Sequence, residues 1–450
     1  MMKRKIEVLT TIIFLANACM PAGAVPEPAE MVPKEAYVET AAQEEPLSLE
    51  DCYKLALKQS EHIAINADLI KETEAHFLQA LSIMVPHVSF LSLDMQEEEP
   101  APGTTATFSS LKPSRSSTRS FNVTQTLFNG FKAIAAIKGS NFEKKQRVDE
   151  KIRAEQLLFV DVADAFYLLS EKKEDIRALQ KIKAALISRI RELHGREKLG
   201  RSRVSEVVNA KVQLYSTDAA IQNVRNQEVL ARQLLEFLVG RPVKEIVDLH
   251  NLPTFLQPED QYLSKAYTRP DVEAARYEWQ VAEMRSDVVD SDFLPVVSLE
   301  SNYYVQRTGF DKGTDWDVML NITVPIFEGT ETLGNSKEAA LKAHESKLEF
   351  QHVKRRAVYD IKDSYARLST AMAIQDALRK AFRSAKLNYS LQRKDYELSL
   401  VNNLDVLAAI QSLRDAERNY IHALYETKRL YWQLLVAIGE SIPENNHASF

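Results

Sequence analysis

Ser399 to Ala409 reads SLVNNLDVLAA, and it lies where one very long helical pattern stops and the next begins. Gly200 to Ala210, GRSRVSEVVNA, takes the same place 199 residues earlier, with Leu214 and Leu413 matching beyond it. The two stretches read as the tips of two helical hairpins. Working outward, Gly130 to Gly200 and Gly329 to Ser399 both cover 70 residues, and Gly200 to Gly240 and Ser399 to Gly439 both cover 40. A register kept across a turn marks an internal duplication rather than two unrelated helices. Within it Asp161, Val162, Asp164, Phe166 and Leu169 stand opposite Asp360, Ile361, Asp363, Tyr365 and Leu368.

The helix that leads to the first tip starts after Gly130 and carries apolar residues at Ile152, Val162, Phe166, Leu169, Ile176, Leu179, Ile182, Leu186, Ile190 and Leu193. Spacings of three, four and seven make one continuous stripe. At about 1.5 Å per residue such a helix is close to 100 Å long, too long for a compact domain. The return runs from Arg203 to Val239 and closes at Gly240 and Pro242. Only 12 glycines and 16 prolines in 450 residues agree with extended helices.

At Pro86 the period changes from helical to alternating. PHVSFLSLDM alternates imperfectly, whereas SFNVTQTLF sets Phe121, Val123 and Leu127 against Asn122, Thr124 and Thr126. A polar loop, EEEPAPGTTATFSSLKPSRS, joins the two. The second pair is cleaner. VVSLESNYYV sets Val297, Leu299, Ser301, Tyr303 and Val305 against polar neighbours, and WDVMLNITVPIF does the same from Trp316 to Ile326. A soluble hairpin pair buried on one face explains this alternation as well as membrane strands do. Three features favour the membrane: an export signal, no later apolar run long enough to span as a helix, and Tyr303, Tyr304, Phe310 and Trp316 placed as an interfacial girdle. An open four-stranded sheet is excluded in lipid, so several chains must share one barrel. Two chains give eight strands and a filled interior; three give twelve and begin to leave a lumen.

The export signal is Lys3, Arg4 and Lys5, an apolar run through Ile12, Ile13, Phe14 and Leu15, then Ala22, Gly23 and Ala24 before Val25. Lipidation of Cys19 is the alternative, although Ala16 stands where such signals usually have Leu. Residues 25 to 46 read as a flexible leader. Ser48 then caps a helical pattern that runs to about Met84, with Glu50 and Asp51 in its first turn. Cleavage leaves Cys52 without a partner, and its amphipathic setting reads as a small buried hydrophobe.

The 57 basic and 63 acidic residues leave a net charge of −6 with no basic cluster, which argues against nucleic acid. The 9 histidines form no HExxH or Cys/His set, and His344 and His352 read as solvated. There is no glycine-rich phosphate loop. No catalytic, cofactor-binding or metal residue is expected, and the chain does not read as an enzyme.

The ordered set LSLEDCYKLAL, Pro86, TLFNG at Thr126 to Gly130, RPDVEAARYE from Arg269, Pro295, VPIFEG at Val324 to Gly329 and the two tips resembles the TolC-like outer-membrane efflux proteins. These are exit ducts of tripartite pumps and type I secretion systems. The resemblance covers about residues 47 to 440 and implies a mainly α fold with a β-barrel part. Long helical hairpins would form a trimeric periplasmic α-barrel, and four strands per chain would share a 12-stranded outer-membrane barrel.

The chain then divides into a signal peptide (1–24), a leader (25–46), first-repeat helices (47–85), a β-hairpin (86–129) and a long helical hairpin (130–240). A connector (241–270), a second-repeat helix (271–294), a second β-hairpin (295–328), a second helical hairpin (329–439) and a tail (440–450) follow. Pro86, Gly130, Pro295 and Gly329 mark helix–strand junctions.

The resemblance further implies a homotrimer in the Gram-negative outer membrane, in contact with its lipid, and docking to a periplasmic adaptor and an inner-membrane pump. The docking residues would be Lys198, Leu199, Gly200, Arg201, Ser202 and Ser205 on one tip, and Leu400, Val401, Asn402, Asn403 and Leu404 on the other. Asp405 matches a gate aspartate, and Tyr396 matches an aromatic that holds neighbouring helices. Ala408 and Val401 stand where some relatives carry an acid and a base. Asp405 has a second reading, as the third residue of a helix capped by Asn402. Gly200 is expected at positive φ, and its twin Ser399 implies a tip built differently or strained. The alternative to a duct is an exported coiled-coil or adhesin-like scaffold; a secreted hydrolase has no directed residues in its favour.

Overall fold

The computed structural model describes residues 46–96, 115–253, 255–308 and 313–440. The expected signal peptide, Cys19, the leader up to Glu45, the centre of the first strand loop, Phe310 and the tail past residue 440 lie outside the described residues.

Helix α1 (Leu49–Gln59) starts at a reciprocal cap: the Ser48 hydroxyl accepts from the Asp51 amide, and the Asp51 carboxylate accepts from the Ser48 amide, both at 3.2 Å. The pattern read as one helix to Met84 is in fact broken. Ser60 is extended, with φ −69° and ψ 111°, and its hydroxyl caps α2 (Glu61–Ser82) by accepting from the Ile63 amide. Strands β1 (His87–Gln96) and β2 (Arg115–Asn129) follow, then α3 (Lys132–Lys198) and α4 (Val204–Val239). After the connector, α6 (Pro270–Asp290), β3 (Val296–Arg307), β4 (Trp316–Thr323), α7 (Glu331–Glu397) and α8 (Asn403–Ala437) repeat the plan. The connector read as aperiodic contains a short helix α5 (Glu259–Leu263) and a 3-10 turn (Ser264–Thr268), and Ile246 bridges to Leu47.

All four strands form one antiparallel sheet in the order β1-β2-β3-β4, which leaves β1 and β4 as free edges. The apolar set pairs across it: Tyr303 faces Trp316, Leu299 faces Leu320, Val297 faces Ile322, and Phe90 faces Phe121. Phe90, Phe121, Trp316, Leu320 and Ile322 stand open in the single chain, Trp316 at 64% and Ile322 at 63%, and Val297, Leu299 and Tyr303 are half-buried. The opposite face carries a polar ladder in which Asn122 donates to Glu300 and Asn302, Asn302 donates to Asp317, and the Tyr304 hydroxyl donates to Asp317. One greasy and one polar face is the pattern of a barrel strand set. β4 ends at Thr323, not at Ile326, because Pro325 has no N–H for the ladder. Register shifts at Arg119/Ser120 and Thr126/Phe128 interrupt the alternation of β2. Among the described residues, no helix is long and apolar enough to cross a membrane.

The helices form a wall in which α3 packs between α4 and α8, and α7 packs on α8; nearer the sheet the order is α2, α3, α6, α7. α4 and α7 are therefore the wall's outer edges, and both leave apolar side chains exposed, among them Val208, Val212, Leu234 and Phe237 on α4 and Leu341, Leu348, Leu387 and Leu391 on α7. One core cluster joins Phe159, Val162 and Phe166 to Leu49, Cys52, Ala56 and Trp432; another lies beneath the tips. Cys52 is fully buried, and burial pushes its thiol up to about 12, so it is inert filling.

Twin glycines splice the wall. Gly240 (φ 76°) ends α4 against the α1–α2 break, where a Cβ would sit 2.5 Å from the Gln59 side chain. Gly439 (φ 75°) follows α8 against the start of α6, with a Cβ position 3.1 Å from the Arg269 side chain.

Candidate functional site

The two hairpin tips have one backbone design. At the first, Gly200 has φ 70°, its amide donates to Glu197 O, and the Arg201 amide donates back to Arg196 O at 2.9 Å. At the second, Ser399 has φ 62°, its amide donates to Tyr396 O, and the Leu400 amide donates to Asp395 O at 2.8 Å. Both are Schellman closures with the left-handed residue in the same place. The serine tip is thus not built differently; it holds a side chain in a conformation that favours glycine.

Asn402 caps α8 through its side-chain oxygen, which accepts from the Leu404 and Asp405 amides at 2.8 and 3.1 Å. Asp405 completes the box by accepting from the Asn402 amide at 3.0 Å. Asp405 is exposed, and the capping reading holds for it. Tyr396 is buried and belongs to the core beneath the tips. The Arg189 guanidinium lies 3.5 Å from its ring centre and that of Arg196 lies 4.4 Å away. Arg189, 5% exposed, also donates to Asn403 Oδ1 at 2.9 Å and to Glu192 at 2.9 Å. Three helices, α3, α7 and α8, are clasped at one point.

Of the residues expected at the docking surface, Lys198, Leu199, Gly200, Arg201 and Ser205 are exposed on the first tip, and Leu400, Asn402 and Leu404 on the second. Ser202 is half-buried and donates to Glu206 at 2.6 Å. Val401 is half-buried against the Tyr396 cluster. Asn403 departs from the expectation: it is 1% exposed, turned inward by Arg189 and by its bond to Glu206 O. Ala408 is exposed. Pro86 and Pro295 each precede the first residue of a strand. Gly130 and Gly329 have φ 64° and 68°, and only Gly130 is crowded, with a Cβ position 2.6 Å from Ser291 O.

Sequence reasoning missed Arg189 and placed Asn403 on the docking surface, whereas it is in fact buried. The signal for Arg189 was present, since it falls three residues after Leu186 and four before Leu193, on the apolar stripe itself. A cation at a core position calls for a buried partner. Farther along the wall α3 and α8 are bridged by a two-pronged Asp175–Arg418 pair at 2.8 and 2.9 Å and by Glu171–Arg429 at 3.3 Å. Among the described residues no group of His, Cys, Asp and Glu could hold a metal ion.

The family model described as outer membrane efflux protein matches residues 53–241 and 266–440. Outer membrane protein TolC of Vibrio cholerae is 22% identical over 312 residues, covering 66% of this chain and 71% of the relative. The alkaline protease secretion protein AprF of Pseudomonas aeruginosa is 25% identical over 303 residues, covering 62% of this chain and 60% of the relative. Among solved structures, the outer membrane protein VceC of Vibrio cholerae superposes with a TM-score of 0.76 at 19% identity, over 87% of this chain and 96% of that one. The CmeC outer membrane channel of Campylobacter jejuni gives 0.74 at 16% identity, over 93% and 94%.

Proposed function

The chain belongs to the outer membrane efflux protein family and is a passive exit duct of the Gram-negative outer membrane; we propose that it conducts as a trimer whose mouth is formed by the hairpin tips. The observation that supports the trimer is that both layers stop at free edges. β1 and β4 leave their ladders unpaired, and α4 and α7 leave apolar stripes uncovered. Unpaired strand edges cannot stand in lipid, and twelve strands from three chains suit a barrel with a lumen. One rotation closes both layers: β4 meets β1, and α7 meets α4, of the next copy.

In this reading the tips face a periplasmic adaptor, and an inner-membrane pump supplies the energy. Asp405 of each copy lines the mouth, and Tyr396 holds the last turn of α7 in place. The family's members work with such components, and the relative AprF is named for protein secretion. Efflux and secretion cargo both pass through a duct of this kind, the pump setting which. The test is the state of the protein extracted by detergent from outer membranes. A heat-dissociable trimer that forms channels in a planar bilayer is expected; a chain recovered wholly soluble overturns the reading.

A further inference from the structure

The duplicated tips share a backbone and differ in charge. At an offset of 199 residues, Arg196, Lys198, Arg201 and Arg203 of the first tip stand opposite Asp395, Glu397, Leu400 and Asn402 of the second. Arg196 is engaged by Glu192 and Tyr396. Lys198, Arg201 and Arg203 are exposed and make no ion pair among the described residues, while the nearby carboxylates are taken, Glu197 by His194 and Glu206 by Ser202. The closure through Arg196 O holds these cations on a fixed turn rather than on a loose loop. On the second tip Glu397 pairs with Arg393 and Asp405 bonds the Asn402 amide, and Leu398, Leu400 and Leu404 are 69%, 71% and 60% exposed.

We propose that the protein docking on the mouth presents carboxylates to the first tip, received by Lys198, Arg201 and Arg203, and an apolar side chain to the second, received by Leu398, Leu400 and Leu404. This rests on the duct reading, in which the tips meet the adaptor, and adds the chemistry of the surface that fits them. Charge at such a rim sets partner choice and approach more than total affinity. Leu199, the twin of Leu398, is equally bare at 71%, so it is the unpaired cations of the first tip that make the two tips inequivalent docking points.

The test uses the full-length protein in detergent and two designed helical hairpins that differ only at the turn, Glu-Leu-Glu or Lys-Leu-Lys, with binding read by surface plasmon resonance. The acidic hairpin is expected to bind roughly tenfold tighter, as two exposed pairs would give. The preference should shrink in high salt and reverse in the triple variant Lys198→Glu, Arg201→Glu, Arg203→Glu. Equal binding of both hairpins, a preference that survives the triple variant, or binding of phosphatidylglycerol vesicles in place of either hairpin overturns the proposal. Channel formation in a planar bilayer is measured on the same preparations. A protein that conducts yet binds neither hairpin keeps the duct and loses the charge assignment, and one that forms no channel loses both.

Discussion

The guanidinium of Arg189, on the first hairpin, lies over the ring of Tyr396, on the second, at 3.5 Å from its centre. A buried cation held against an aromatic face and an amide oxygen is a contact with few substitutes. Arg189→Ala strips Asn403 Oδ1 of its donor and Tyr396 of its cation, at about 1–3 kcal/mol. Hydrogen exchange should rise across residues 396–406 while the middle of α3 stays protected. Arg189→Lys restores only part of the protection, because an ammonium cannot stack.

Ser399→Gly relieves a side chain at φ 62° and should raise the thermal midpoint of the protein, by roughly 1 kcal/mol per chain. Gly200→Ala, with open space around the added Cβ, should cost a similar amount. Gly240→Ala should cost more, since its Cβ would also strike Gln59. Scanning calorimetry of the three variants checks the order.

The cap that Asp405 completes and the gate role proposed for it are separated by a pair of substitutions. Asp405→Asn keeps an oxygen able to accept from the Asn402 amide and removes the charge, so stability holds while cation preference at the mouth falls. Asp405→Ala removes both, with a capping loss of about 0.5–2 kcal/mol and an altered single-channel conductance. Unchanged conductance and ion preference in both variants would take Asp405 out of the gate.

The connector is pinned to α1 by a 2.7 Å contact between His250 Nε2 and Glu50. The His250 hydrogen bond, outweighing burial, holds the Glu50 carboxyl below the ordinary carboxylate range. A lowered folded-state value means stability that is complete above the unfolded carboxylate pKa of about 4.3 and is lost as pH falls through the folded one. Glu50→Gln should therefore lower stability at neutral pH and flatten the acid limb, so that variant and parent converge at low pH. Urea unfolding between about pH 6 and 3 measures it.

Much of this architecture was legible because duplication writes each feature twice. The tips, the long helices and the Asn402 cap follow from spacing and residue type. The break at Ser60 was hidden, since a serine between two amphipathic stretches leaves the apolar period intact while its hydroxyl starts a new helix. The end of β4 was misread because alternation continues through Val324 and Ile326 although Pro325 has already ended the ladder. Asn403 looked like its neighbour Asn402, and only the position of Arg189 on the facing helix decides which asparagine turns inward. Pairing of β2 with β3 across residues 130–295, helices and connector, is a long-range contact that no local pattern encodes.

The joints at Gly240 and Gly439 are laid like staggered courses in masonry. Where α4 abuts the α1–α2 break, α3 runs past unbroken, and Glu155 O on it receives the Tyr53 hydroxyl. Where α8 abuts α6, α3 again passes, with Arg153 donating to Val436 O and Gln156 to Gly439 O. On the other flank α7 passes and offers Ala357 O and Asp360 to the same Arg269 that holds Ala437 O. Each discontinuity is splinted by a whole rod beside it, so a bending load on the wall falls on α3 and α7 rather than on the splices. Wearing the splints away, as in Gln156→Ala with Arg269→Ala, would leave a hinge at mid-height where the intact wall has none.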